Sequence, residues 1–248
     1  MKTVILAAGR GQRLRPFTEK YPKPLTPILG KPILEHTLAL IRNVGIEDCI
    51  IVTGYLGNFI KKRLGDGSRY NIKLHYCHNP YYTLGNAVSL KAAEKMLKDE
   101  EPFLLLMADH YVSQNILEKA LESVNKEPLL CVDERPRYPP QLKDATRVLV
   151  NSGGYIIDIG KKIPLWNAVD TGVFLLDNTI FKVIDALEKT ASLLTITNCI
   201  KHLTLYKKPV WACDVSGRLW FDVDTQEDWT FVESFLCEAL KCRERGTG

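Results

Sequence analysis

Residues 9–16 read GRGQRLRP and follow directly on the apolar run at residues 3–8. A glycine-rich turn at the end of a strand lets backbone N–H groups come close to phosphate oxygens, so the first expectation is a phosphate cradle. It is not a dinucleotide fingerprint, because Leu14 stands where a third glycine is required and prolines follow where a helix should begin. Nor is it a Walker loop, since no Gly-Lys-Ser/Thr is present. Arg10, Arg13, Arg15, Lys20, Lys23 and Lys31 gather around it and could face a polyphosphate or form a solvated face. Lys23 lies between Pro22 and Pro24, which stiffen its backbone and let it point at an anionic site. Further on, residues 104–109 read LLLMAD, an apolar strand that delivers Asp109 to the rim of a sheet. That placement suits a carboxylate for a hard cation; the alternative is a helix N-cap. His110 beside it suits a supporting or structural role better than that of a base.

Residues 6–16, LAAGRGQRLRP, fill the pattern L-A-A-G-x-G-x-R-L-x-P with which the sugar-1-phosphate nucleotidyltransferases begin, and residues 22–25, PKPL, fit that family's P-K-P/A-L element. The chain resembles this family. The resemblance gives Arg13 and Lys23 the catalytic task of neutralising the triphosphate and the departing pyrophosphate. Residues 220–225, WFDVDT, resemble the family's W-x-D-x-G-T element, in which the aspartate binds magnesium together with the acid after the fourth strand. Asp222 is the match, so Asp109 and Asp222 are the expected Mg²⁺ ligands. Asp224 occupies the usual glycine position and is expected to cap the final helix rather than hold the metal. Nucleotide contacts are implied for Leu6, Ala8, Gly9, Gly11, Asn79, Gly85 and Asn86, with Asn86 equally open as an N-cap.

Residues 107–113 (MADHYVS), 133–137 (DERPR), 144–148 (DATRV) and 169–177 (VDTGVFLLD) are most similar to the CTP:inositol-1-phosphate cytidylyltransferases. The implied reaction transfers CMP from CTP to inositol 1-phosphate, giving CDP-inositol and pyrophosphate. On that resemblance, Lys161 or Lys162 contacts the acceptor phosphate and Asp170-Thr171 the acceptor hydroxyls; a solvated turn and a turn leading into a strand are the alternatives. Phosphocholine and hexose 1-phosphates are rival acceptors. A choline enzyme would need an aromatic box, for which Tyr76, Tyr81, Tyr82, Trp166 and Trp220 are candidates. A regulatory subunit of the same fold would be expected to lose the charged site, yet Arg13, Lys23, Asp109 and Asp222 all remain.

The elements that must position these residues alternate. Strands are expected at 3–8, 49–53, 73–77 and 103–107, helices at 33–44, 59–64 and 86–97, and an irregular loop at 9–32. Such alternation implies a mostly parallel sheet with ligands beyond the carboxyl ends of its strands. After a helix at 116–124 the pieces at 129–132, 147–150, 155–159 and 173–176 suggest a more antiparallel second half, closed by a strand at 219–223 and a helix at 226–241. The fold class is therefore α/β: a Rossmann-like, mostly parallel mixed sheet flanked by helices, with a smaller antiparallel part, in one domain over residues 1–248.

A net charge of +4, with 33 basic and 29 acidic residues interspersed, argues against a nucleic-acid partner. Seven cysteines without a CxxC pair suit neither a disulfide framework nor a zinc site and are expected to be reduced. No stretch approaches the ~18 apolar residues of a membrane span, and residues 3–8 are too short for a signal-peptide core, so a cytoplasmic protein is expected. A homodimer is left open.

Overall fold

The structure, a computed structural model, describes residues 1–98, 102–126, 128–206 and 208–245. In chain order the first part contains β1 (Thr3–Ala7), α1 (Phe17–Lys20), β2 (Pro27–Ile28), β3 (Lys31–Pro32), α2 (Ile33–Asn43), β4 (Asp48–Thr53), α3 (Gly57–Leu64) and β5 (Lys73–His78). Next come α4 (Asn86–Ala92), α5 (Glu94–Leu97), β6 (Phe103–Met107), β7 (His110–Val112), α6 (Gln114–Glu122), β8 (Leu129–Asp133) and α7 (Pro139–Leu142). The remainder is β9 (Arg147–Val150), β10 (Ile156–Gly160), β11 (Ala168–Leu176), α8 (Thr179–Leu187), α9 (Ile196–Leu205), β12 (Trp211–Asp214), β13 (Trp220–Asp222) and α10 (Gln226–Arg245).

Among the described residues the main sheet has nine strands, in the order β10-β9-β11-β6-β1-β4-β5, with β8 on β11 and β12 on β8. Pairing is parallel for β1 with β4 and β6, β4 with β5, and β8 with β12; β11 runs antiparallel to β6, β8 and β9. Alternate residues of β1 serve opposite faces. Val4 and Leu6 pack with Leu90, Ile180, Ile184 and Ile200, whereas Ile5 and Ala7 pack with Leu34, Leu38, Ile60 and Ile116. Helices cover both faces, which is why β1 is a continuous apolar run rather than an alternating one. The closing helix α10 brings Val232 and Leu236 onto Leu14, Ile28, Ile33 and Phe221, fastening the glycine-rich segment to β13.

The alternation expected for the first half is present, and a glycine closes α2: Gly45 has φ +82° and donates its N–H to Arg42 O at 3.0 Å. Three expectations need correction. The helix at 86–97 is interrupted at Ala93 into α4 and α5. The loop at 9–32 contains local structure: 3₁₀ turns at Gln12–Leu14 and Lys23–Leu25, the single turn α1, and the β2–β3 hairpin. The antiparallel second half also carries α8 and α9, with α9 packed against both β10 and α8.

Register places the site. Leu6 of β1 pairs with Met107 of β6, so the glycine-rich loop and Asp109 leave adjacent strands at the same edge. Val173 of antiparallel β11 pairs with Leu106, which sets the preceding residues, down to Asp170, beside that edge. In the separate β7–β13 pair, Asp222 lies opposite His110. Four segments far apart in sequence thus meet beyond the carboxyl end of β6.

Candidate active site

Lys23 is at the centre. Its side chain, in the 3₁₀ turn between Pro22 and Thr26, is only 7% exposed. The ammonium donates to Asp109 Oδ2 at 2.7 Å and to Asp224 Oδ1, with Asp222 Oδ1 at 3.9 Å. Burial alone would depress the lysine pKa; Asp109, Asp222 and Asp224 outweigh it and raise it above the ordinary value. Gly11 is required behind it, since a Cβ there would lie 2.7 Å from Lys23 Cβ, and its φ is +59°. Arg13 is at the rim, about half exposed, with its guanidinium on Asp144 and Asp224.

Asp109, His110 and Asp222 each present a ligand atom, all within 4.8 Å of one another. Asp222 Oδ1 is buried without a hydrogen-bond partner among the described residues, an acceptor of the kind a cation would satisfy. The oxygens of Asp109 and Asp222 fit a hard divalent ion; the nitrogen of His110 fits it less well. His110 instead places Asp109: its Nδ1 is 3.0 Å from Asp109 Oδ1. Burial would lower the His110 pKa, but Asp222 and the bond to Asp109 prevail and raise it to about 9, so the ring is a cation and donates. The imidazole is stacked on Trp220 at 6.4 Å, and Trp220 Nε1 donates to Asp133 Oδ2 at 2.9 Å. Gly172, φ +76°, is also so close that a Cβ would meet the ring at 2.7 Å.

Asp109 lies on the wall between two clefts. One, of about 440 Å³, is lined by Leu6, Gly9, Gly11, Arg13, Lys23 and Tyr82 and carries the cations. The other, of about 240 Å³, is lined by Asn86, Asp144, Lys161, Asp170, Trp220 and Asp222 and carries the acids. In the second, burial pushes the Asp170 carboxyl up to about 6, against the pull of the Gly172 N–H and His110.

The structure sorts the remaining expected site residues. Of the adjacent lysines, Lys161 lines the second cleft and Lys162 does not. Thr171 is fully buried and donates its hydroxyl to Cys131 O at 2.8 Å, on the strand face opposite Asp170. Asn79 is buried, with its amide spent on Ser89 Oγ at 3.0 Å and Tyr81 N at 2.9 Å, and lines neither cleft. Ala8 is buried and uses its carbonyl on Tyr55 N at 3.0 Å. Gly85 lets the chain pass Leu194, whose O would lie 2.0 Å from a Cβ. Asn86 is no cap; its Oδ1 accepts from Ile196 N at 2.8 Å, across to α9.

Asp224 is also corrected. It holds Arg13 and Lys23, while α10 is capped by Thr225 and Asp228: Asp228 Oδ2 accepts from Thr225 N at 2.8 Å, and Thr225 Oγ1 from Asp228 N at 3.2 Å. Sequence reasoning also missed Gln141, which ties α7 to β13 through Trp220 O at 3.0 Å, and the role of Asp144 at the rim. The aromatic box is not assembled. Of its five candidates only Trp220 lines the second cleft, and it is 2% exposed.

The chain matches the Nucleotidyl transferase family over residues 2–238 and belongs to it. It is similar to proteins named "Bifunctional IPC transferase and DIPP synthase": 32% identical to that of Aquifex aeolicus, covering 99% of this chain and 53% of the relative. With that of Archaeoglobus fulgidus it shares 35% identity over 92% of this chain and 42% of the relative. The chain thus spans about half the length of these curated relatives. Its fold is that of the inositol-1-phosphate CTP transferase from T. maritima, with TM-score 0.80 and 24% identity over 93% and 94% of the two chains. A putative glucose-1-phosphate thymidylyltransferase from Bacillus anthracis superposes with TM-score 0.81 and 22% identity over 95% of each chain. Among the described residues no helix is long and apolar enough to cross a membrane.

Proposed function

We propose that residues 1–248 act as one nucleotidyltransferase unit that moves CMP from CTP to inositol 1-phosphate and releases pyrophosphate. The observation that carries this is the placement of Asp109 on the wall shared by a cationic cleft and an acidic one. A polyphosphate suits the first, against Arg13, Lys23 and the backbone of residues 9–11; a polyol phosphate suits the second, its hydroxyls on Asp170 and its phosphate on Lys161. The words "IPC transferase" in the names of the relatives, and the name inositol-1-phosphate CTP transferase borne by the T. maritima protein, support cytidine and inositol 1-phosphate as the pair.

An acceptor phosphate oxygen attacks the α-phosphorus. The bond from that phosphorus to the bridging oxygen breaks, and pyrophosphate leaves with the electron pair. No side-chain base is needed, because a phosphate monoester with a second pKa of about 6 is already mostly dianionic at neutral pH. Lys23, already fixed by carboxylates, meets the charge growing on the leaving group without rearrangement. Arg13 exchanges Asp144 and Asp224 for phosphate oxygens. Asp109 and Asp222 would hold Mg²⁺, which when bound supplies Lewis-acid neutralisation of the phosphate oxygens.

Pyrophosphate release, measured with each nucleoside triphosphate against inositol 1-phosphate, phosphocholine and glucose 1-phosphate, tests this. CTP with inositol 1-phosphate should give the highest specificity constant, free inositol should be inert, and chelation of divalent metal should stop the reaction. A higher specificity constant for phosphocholine would overturn the acceptor assignment.

A further inference from the structure

Arg13 lines the cationic cleft, yet its guanidinium forks across to the acidic one: Nη1 donates to Asp144 Oδ2 and Nη2 to Asp224 Oδ2. Two carboxylates thus occupy the donors that a triphosphate would need. They are held differently. Asp224 is largely buried and is retained by Lys23 through its other oxygen. Asp144 is about half exposed and, among the described residues, its carboxylate has no hydrogen-bond partner but Arg13. The backbone on either side of Asp144 is anchored. Before it, Gln141 ties α7 to Trp220 O at 3.0 Å; after it, Thr146 O accepts from Asp170 N at 2.9 Å. Loss of Arg13 would therefore release the Asp144 side chain without moving its backbone, and that side chain already lines the acidic cleft together with Asp170.

We propose that Asp144 is a positioning residue shared by the two substrates: it holds Arg13 while the cationic cleft is empty and, once a triphosphate takes Arg13, accepts hydrogen bonds from the hydroxyls of the acceptor. This rests on reading the cationic cleft as the nucleotide site and the acidic cleft as the acceptor site. Each group exchanges one partner for another. Phosphate oxygens replace the carboxylate on Arg13, and hydroxyl donors replace Arg13 on the carboxylate. The hold is of a strength that a triphosphate can displace, because an ion pair between half-exposed side chains contributes little. The Asp224 carboxylate is unsuited to the same exchange, since Lys23 keeps it in the cationic cleft.

The test measures CTP binding by calorimetry with Mg²⁺ and no acceptor, and kcat and the KM for inositol 1-phosphate at saturating CTP, in the wild type, Asp144→Ala, Arg13→Ala and the double variant. Asp144→Ala should bind CTP about threefold more tightly than the wild type, because Arg13 is no longer held. It should also raise the KM for inositol 1-phosphate about tenfold at nearly unchanged kcat. In the Arg13→Ala background the same substitution should leave CTP affinity unchanged. An equal gain with and without Arg13 would show that Asp144 only repels the triphosphate, and no gain in Asp144→Ala would equally overturn the hold on Arg13. An unaltered KM would overturn the acceptor role. Lys143→Ala, which removes the neighbouring ion pair with Glu227, should move neither quantity; if it moves both, the effect belongs to the turn and not to the carboxylate. Absence of turnover with inositol 1-phosphate in the wild type would overturn the proposed reaction and the acceptor role with it, while CTP binding still decides the hold on Arg13.

Discussion

Lys23 and Arg13 carry the same charge and the same expected task, yet their surroundings separate what each does for the protein. Arg13→Ala should lower turnover about a hundredfold through lost charge stabilisation, and leave the urea midpoint unchanged because exposed ion pairs contribute little. Lys23→Ala should lose as much activity and also about 3 kcal/mol of stability, since it strands Asp109, Asp222 and Asp224 around an empty centre. Equal midpoints for Lys23→Ala and wild type would show that those carboxylates do not depend on the ammonium. Asp170 has the opposite balance. Its folded pKa of about 6 is raised by burial above the unfolded value of about 3.9. Stability is therefore fully present below pH ~3.9 and falls as pH rises through ~6. Metal-free Asp170→Asn should then be more stable than wild type at pH 8, by about 1–3 kcal/mol, with the difference vanishing near pH 4, while its KM for inositol 1-phosphate rises. Melting curves at the two pH values check the sign; a less stable Asp170→Asn at pH 8 would contradict it.

At the scale of elements, the start of α10 shows how two adjacent acids divide their work. Thr225→Ala should cost about 1 kcal/mol as a lost cap and leave turnover near wild type. Asp224→Asn, which loosens both cations, should instead lower turnover at nearly unchanged stability; the reverse pattern would restore the capping role to Asp224. That role was the natural expectation, because an acid two residues before a helix looks the same in sequence whether it faces the helix or a lysine 201 positions away. The parallel strands were legible because the centres of β1, β4 and β6 are unbroken apolar runs. α8 carries a helical signal in the spacing of Ile180, Phe181 and Ile184, which the expectation of a more antiparallel second half leaves out. β7 and β13 were not: His110–Val112 and Trp220–Asp222 are three residues each, too short for any periodicity, and exist because they pair with each other. The place of Asp144 against Arg13 had no local signal, because a cleft rim is defined by what lies across it.

For the whole molecule the decisive fact is that 113 positions separate Asp109 from Asp222, and only β6, β7 and β13 in their observed register bring them together. In the absence of metal this convergence is costly. Burial, with Asp109 and Asp224 adding repulsion, pushes the Asp222 carboxyl up to about 7 despite His110 and Lys23. The sign is that of Asp170: the cost is absent below pH ~3.9 and complete above ~7. Asp222→Asn should therefore raise the melting temperature of the metal-free protein at pH 8, while lowering turnover about a hundredfold or more. Asp109→Asn should lose activity to the same degree without that gain, because Lys23 and His110 already hold the Asp109 carboxyl well below its ordinary range. If the two acids serve one ion, the double variant should be scarcely worse than either single variant. Mg²⁺ should also raise the melting temperature of the wild type and of neither variant, by mass action on a site that only the folded chain contains. Multiplicative losses in the double variant, or an undiminished Mg²⁺ shift in Asp222→Asn, would show that the two carboxylates act independently and that the ion, if bound, is held elsewhere.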